Sequence, residues 1–234
     1  TGVRARLGSQ WLRVNDWGHT FHALYVGSQR QNALQAQYVI PGRDPTIDQY
    51  SFSSKIFQLR YPIGNAHAQQ FSAASIFKKN KRLLTLSLNR LEESFNFIGA
   101  NKQVKKVLYP TIKIDYKKII SPLFSKKGIA LTGNLNYANQ NLLSDLNLLQ
   151  IDLTAKAAFW LPTHTRLFFR EQLGLTYTNT ITELPLSLQL LAGGADSIRG
   201  YHYQSIGLGK RRQVHSAEIQ QETFKNWYLT AFYD

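Results

Sequence analysis

The sequence predicts an all-β protein, a transmembrane antiparallel β-barrel, and three observations predict it. Apolar and polar residues alternate with a period of two along segments of about ten residues. Tight turns and longer connections separate those segments. No stretch approaches the ~18 consecutive apolar residues of a membrane helix, and no 3.6-residue periodicity supports a long helix of any kind. A barrel strand needs only ~9–11 residues to cross a membrane, and only alternate ones must be apolar.

The first strands are expected over 3–13 and 19–28, joined by the turn formers Asn15-Asp16-Trp17-Gly18. The next, 33–40, sets Leu34, Ala36, Tyr38 and Ile40 against Gln35 and Gln37. Strands over 50–60 and 69–77 follow. After the turn Lys79-Asn80-Lys81, the strand 82–90 opposes Leu84, Leu86 and Leu88 to Thr85, Ser87 and Asn89. Segment 104–118 alternates Ile112, Ile114 and Tyr116 with Lys113, Asp115 and Lys117, and 128–138 alternates Ile129, Leu131, Leu135 and Tyr137 with Ala130, Thr132, Asn134 and Asn136. The clearest case is 148–160. There Leu149, Ile151, Leu153, Ala155, Ala157 and Phe159 share one face, while Gln150, Asp152, Thr154 and Lys156 share the other. Past Pro162-Thr163-His164, the strand 165–177 faces Leu167, Phe169, Leu173, Leu175 and Tyr177 away from Arg166, Arg170 and Gln172, with Glu171 interrupting the apolar face. Strands over 214–223 and 227–234, joined at Lys225-Asn226, complete the series.

The longer connections 91–103, 139–147 and 178–213 fall at one rim and the short turns at the other, although 41–49 and 119–127 are long for the short-turn side. Aromatic residues stand near many strand ends: Trp11, Trp17, Tyr25, Tyr50, Tyr109, Tyr137, Trp160, Tyr177, Trp227 and Tyr233. Amphipathic rings favour the headgroup level, so the expectation is an interfacial girdle. Ordinary sheet packing is the alternative.

Composition narrows the function. The 234 residues suit one large domain, 1–234, and carry a formal charge of +14. With 43% hydrophobic and only 18% charged residues, the chain is no disordered polycation. The absence of cysteine excludes a disulfide framework, a thiolate zinc site and a thiol nucleophile. There is no methionine even at position 1, so the sequence reads as a processed product or an excised piece. The six histidines are scattered, and His19 and His22, three apart on a strand, point to opposite faces. Gly207-Leu208-Gly209-Lys210 lacks phosphate-loop spacing. The expectation is therefore no enzyme, no catalytic residues, no metal and no cofactor. Glu92-Glu93 reads as a solvated loop pair. The basic runs Lys78-Lys79-Asn80-Lys81-Arg82, Lys105-Lys106, Lys117-Lys118, Lys126-Lys127 and Lys210-Arg211-Arg212 would either attract lipid phosphates or line a cationic lumen. Alternatively they are solvated strand ends that discourage edge pairing, which is the reading favoured. Nucleic acid is not an expected partner, because the aromatics follow the apolar face rather than interleaving with base.

The stretch least like a strand is Leu190-Leu191-Ala192-Gly193-Gly194-Ala195-Asp196-Ser197-Ile198-Arg199-Gly200-Tyr201. Gly193-Gly194 opens backbone angles closed to other residues, a hinge. Arg199, beside a glycine and an aromatic, is placed to reach a carboxylate bidentately, or else it is a solvated loop residue. The run GGADSIRGY resembles the sixth-extracellular-loop signature of the BamA/TamA superfamily of outer-membrane assembly factors. Phe232-Tyr233-Asp234 resembles the start of that superfamily's second barrel motif, Phe-x-Asp-x-Gly. LPLSLQLLAGGADSIRGYHYQSIG and TGVRARLGSQWLRVNDWGHTF are similar to the TamA branch.

The resemblance implies a sixteen-stranded barrel preceded by periplasmic POTRA domains, in a bacterial outer membrane. On that mapping the chain runs from near strand two into strand thirteen, with about twelve strands present and the POTRA domains, first strand and last strands absent. It also implies that the 178–213 loop folds inward and that Arg199 meets Asp234, with Glu218 a second acidic candidate. If Leu229, Ala231 and Tyr233 face lipid, Thr230, Phe232 and Asp234 face the lumen, as Glu218, Gln220 and Glu222 would. The implied partners are outer-membrane lipid and lipopolysaccharide, client outer-membrane or secreted proteins, and a TamB-like inner-membrane protein. A BamA-like insertase, a two-partner-secretion transporter, an anchor for a fused enzyme domain, a passive porin-like channel and a soluble basic β-protein are the alternatives.

Overall fold

The alternation resolves into twelve strands: β1 (Arg4–Trp11), β2 (Thr20–Ser28), β3 (Gln31–Pro41), β4 (Asp48–Tyr61), β5 (Gly64–Lys79), β6 (Arg82–Phe97), β7 (Gln103–Ile120), β8 (Lys127–Ala138), β9 (Leu148–Leu161), β10 (Thr165–Thr178), β11 (Arg211–Phe224) and β12 (Trp227–Tyr233). They form one antiparallel sheet in chain order, each strand paired with the next. The structure, a computed structural model, describes residues 3–120, 127–224 and 227–234. The turn Lys225-Asn226, Lys126 and most of the connection 119–127 lie outside the described residues. Among the described residues the helical segments are two single 3-10 turns, Ile181–Glu183 and Leu186–Leu188.

Period two gives the sheet two unlike faces. The outer face carries Leu34, Ile56, Phe71, Leu88, Ile114, Leu131, Leu153 and Phe169, all exposed. A contiguous exposed apolar surface of this kind suits hydrocarbon rather than water. The inner face carries a chain of hydrogen-bonded polar side chains that crosses six strands. Ser72 donates to Asn89 Oδ1 (2.7 Å), Asn89 to Thr111 (3.0 Å), Thr111 to Asn136 (2.7 Å), Asn136 to Gln150 (3.1 Å) and Gln150 to Thr176 (3.0 Å). Away from bulk water each of these groups needs a partner, and the register supplies it.

At the long-loop rim the faces exchange character. On β6, Leu84, Leu86 and Leu88 point outward, but beyond them Leu91, Phe95 and Phe97 are buried inward while Glu92 is exposed. Phe57 and Leu59 on β4, Ala66 and Ala68 on β5, and Val107 and Tyr109 on β7 do the same. With 16 to 18 residues, β5, β6 and β7 are longer than a bilayer crossing needs, at ~9–11 residues. Past the hydrocarbon, the outer face meets water and the inner face becomes the apolar one.

This exchange corrects several expectations. The segments 61–68 and 91–103, expected as connections, are mostly strand. β4 and β5 meet at Pro62-Ile63, and only 98–102 separates β6 from β7. The long-loop rim therefore holds two tight turns, at 29–30 and 62–63, beside its longer loops. Tyr109, expected in an aromatic girdle, faces inward and is 6% exposed, whereas Trp11, Tyr25, Tyr50, Tyr137, Tyr177 and Trp227 are exposed. Glu92 and Glu93 are not a solvated loop pair. Both lie on β6; Glu92 faces out beside Lys106 (3.4 Å), while Glu93 is fully buried. Glu171, which interrupts the apolar outer face of β10, pairs with His215 directly opposite on β11.

The connection between β10 and β11 turns into the concave side. Leu184, Leu186, Leu188 and Leu191 join Phe57, Leu59, Leu91, Phe95, Val107 and Tyr109 in one core. The same loop touches Arg30 in the β2–β3 turn, Glu93 on β6, Gln150 on β9, Arg170 on β10 and Asp234 past β12. A single loop can touch both the β2–β3 turn and the end of β12 only if the twelve-stranded sheet wraps around it.

Candidate functional site at the tip of the inner loop

The loop enters as a leucine-rich segment and then doubles back. Ala192 and Ile206 form an antiparallel bridge, with N–H to O distances of 2.8 and 3.0 Å. The tip between them holds Gly193 and Gly194 at φ +105° and +98°. A Cβ at Gly193 would stand 2.4 Å from the His202 carbonyl oxygen, so both angle and space demand glycine. Gly193→Ala is expected to displace the turn at a cost of about 1–3 kcal/mol. Limited proteolysis at the tip reads this, and unchanged protection would contradict it.

The tip presents Arg199 to two strands. Its backbone N–H donates to Asp234 Oδ2 at 2.8 Å, its Nε to the same oxygen at 2.9 Å and its Nη2 to Oδ1 at 2.9 Å. The remaining Nη1 donates to Glu218 Oε2 at 2.5 Å. The guanidinium plane lies over the Phe232 ring, 3.7 Å from its centroid. Glu218 and Phe232 are paired neighbours across β11 and β12, so register alone puts carboxylate and ring side by side. Donating to the Asp234 carboxylate, and then to that of Glu218, stabilises the charged Arg199 guanidinium and raises its pKa above the ordinary value. The fork is used on both edges, a geometry that lysine cannot copy.

A second arginine, read from sequence only as part of a polar face, completes the cluster. Arg170 is 6% exposed, and its Nη2 lies 3.5 Å from Asp234 Oδ1. It also donates to the carbonyls of Ala195 (3.1 Å) and Ser197 and to Ser216 Oγ (2.7 Å). Gln172 donates to the Asp196 carbonyl at 2.9 Å. Two cations thus face two carboxylates, and the loop's own carbonyls take up the spare donors of Arg170.

Among the candidates read from sequence, Arg199, Asp234, Glu218 and Phe232 come together, and Gly193 and Gly194 form the turn behind them. Gly200 is exposed at φ +90° with open space around it. Tyr201 is exposed and makes none of the cluster's contacts. The ring packed on the barrel wall is Tyr203, against Tyr61 at 5.9 Å. Nearer the loop's root, the Glu93 carboxylate accepts from the Ser187 N–H (3.2 Å) and its hydroxyl. Arg212 links Asp152 (2.6 Å) to the Leu191 carbonyl (3.0 Å). Among the described residues no group of three potential metal ligands converges.

Residues 110–234 match the Omp85 superfamily domain. The fold is similar to the crystal structure of BamA from Haemophilus ducreyi lacking POTRA domains 1–3, with a TM-score of 0.83 at 12% identity. That match covers 96% of this chain and 52% of that one, so the chain spans about half the length of the solved structure. The domain match takes in β8 to β12, the inner loop and both carboxylates that Arg199 meets, and the chain belongs to the Omp85 superfamily.

Proposed function

We propose that this chain is a barrel portion of a bacterial outer-membrane protein that assists the assembly or translocation of outer-membrane and secreted proteins, as the TamA branch does. The observation that carries the reading is the Arg199–Asp234–Glu218 cluster, formed by a superfamily loop signature folded inside a wrapped sheet. Such a factor performs no bond chemistry and uses no cofactor. Its work is to offer backbone edges to a client strand within a disturbed bilayer. The cluster acts as a latch, holding the long loop against the wall on the β10–β12 side. Residues 1–234 form one barrel domain, in contact with outer-membrane lipid and lipopolysaccharide, and a TamB-like inner-membrane protein is its expected partner. The likeness to BamA favours a general insertase as the second reading.

Arg199→Ala in the full-length protein tests the latch. The expected result is a protease-accessible loop and a severalfold loss of client assembly in native outer membranes. A mobile loop with normal assembly would reject the latch as functional and favour a passive channel. Crosslinks to a TamB-like protein separate the two assembly readings.

A further inference from the structure

The four central strands share a feature that the loop cluster does not use. On each, the outer face runs apolar and then ends in a cation at the short-turn rim. On β5 Phe77 is followed by Lys79, and on β6 Leu84 is preceded by Arg82. On β7 Ile114 and Tyr116 are followed by Lys118, and on β8 Leu131 and Ile129 are preceded by Lys127. Each cation is two residues from its nearest outward neighbour, so parity points it outward too. All four are exposed. The register sets them in steps along the rim: Lys79 stands opposite Arg82 and Arg82 opposite Tyr116, Lys118 lies two residues further toward the rim opposite Ile129, and Lys127 two residues beyond that, opposite Ile120. Lys78, Lys81 and Lys117 stand beside them, in the turn or on the other parity.

None of these seven cations has an ion-pair partner among the described residues. The nearby acids are engaged elsewhere. Asp115 faces inward to Lys113 and Thr132. Asp44 and Asp48 accept hydrogen bonds within their own β3–β4 turn. Solvated strand ends need no such order. A stepped row of cations without ion-pair partners among the described residues, at the edge of an apolar band and with Tyr116 opposite Arg82, lies where the headgroups of a bilayer lie.

We propose that the β5–β8 wall binds the phosphates of anionic phospholipids in the leaflet at the short-turn rim, through Lys79, Arg82, Lys118 and Lys127. The proposal rests on the reading of the outer face as lipid-facing. Lysine stems lie along the apolar surface while the ammonium groups reach the phosphate plane, and charge attraction then selects anionic over zwitterionic lipid.

The test places the full-length protein in vesicles of phosphatidylcholine with phosphatidylglycerol and measures the motion of each lipid, spin-labelled, next to the protein. The wild type is expected to prefer phosphatidylglycerol by about two- to threefold at low salt. The preference should fall toward one in a Lys79→Gln, Arg82→Gln, Lys118→Gln, Lys127→Gln variant and in the wild type at high salt. A Lys78→Gln, Lys81→Gln, Lys117→Gln variant should keep most of it. No wild-type preference, or equal loss in both variants, overturns the proposal while immobilised phosphatidylcholine still marks a membrane barrel. If neither lipid is immobilised, the lipid-facing reading fails, and the proposal with it.

Discussion

Asp234→Ala should release the inner loop more completely than Arg199→Ala, although both break the same contact. Asp234 accepts three hydrogen bonds from Arg199 and sits 3.5 Å from Arg170, with its side chain only 4% exposed. Removing Arg199 leaves Asp234 with Arg170 as a ready partner and leaves Glu218 beside Gln220. Removing Asp234 leaves the buried Arg170 guanidinium without its carboxylate and Arg199 with Glu218 alone. Breaking a buried pair from one side costs about 3–5 kcal/mol, chiefly because the stranded charge stays buried. The Arg199 side chain is 22% exposed, which puts Arg199→Ala at the lower end of that range. Arg199→Lys should fall between wild type and alanine, because an ammonium cannot bridge both acids. Hydrogen exchange across 193–205 in the full-length protein orders the variants. Equal protection in Asp234→Ala and Arg199→Ala would mean that Arg170 contributes nothing and that the cluster is a simple pair.

The two arginines also mark the boundary of what the sequence makes legible. Strands over 128–138, 148–160 and 165–177 lie within one residue of the observed β8, β9 and β10, because there most of the large apolar residues recur on one parity along the strand. Alternation is least informative on β5 and β6. There the apolar parity switches from Leu88 to Leu91 where the strand leaves the bilayer, and a one-phase reading breaks the strand at that point. For Arg199 the expectation of a carboxylate partner comes from a family signature, since spacing says nothing about a residue 35 positions away. Arg170 and Glu93 have no such signature. Register does set Ser216 opposite Arg170 on β11. The remaining loop partners, the carbonyls of Ala195 and Ser197 for Arg170 and Ser187 for Glu93, belong to an irregular segment that neither register nor period can place. Glu171 becomes intelligible only once β11 is known to set His215 opposite it.

The loop is held at its root by a leucine core, with Glu93 and Arg212 hydrogen-bonded to it, and at its tip by the Arg199 cluster, and the two should fail independently. Leu186 is 1% exposed and packs in a core with Phe95, Leu91 and Val107. Truncating it leaves a cavity between loop and wall, at a cost of about 2–5 kcal/mol. Among the described residues, no member of that core hydrogen-bonds or ion-pairs with Arg199, Asp234 or Glu218, so the two effects should add to within about 0.5 kcal/mol. Leu186→Ala should therefore loosen 181–191 while 193–205 stays protected, and Asp234→Ala should do the reverse. Only the double variant should free the whole loop and open the wrapped sheet to water along its axis. Exchange rates for both segments in each variant provide the test. Loss of protection across the whole loop in either single variant would show one cooperative unit, and the latch could then not move without unseating the plug of leucines beneath it.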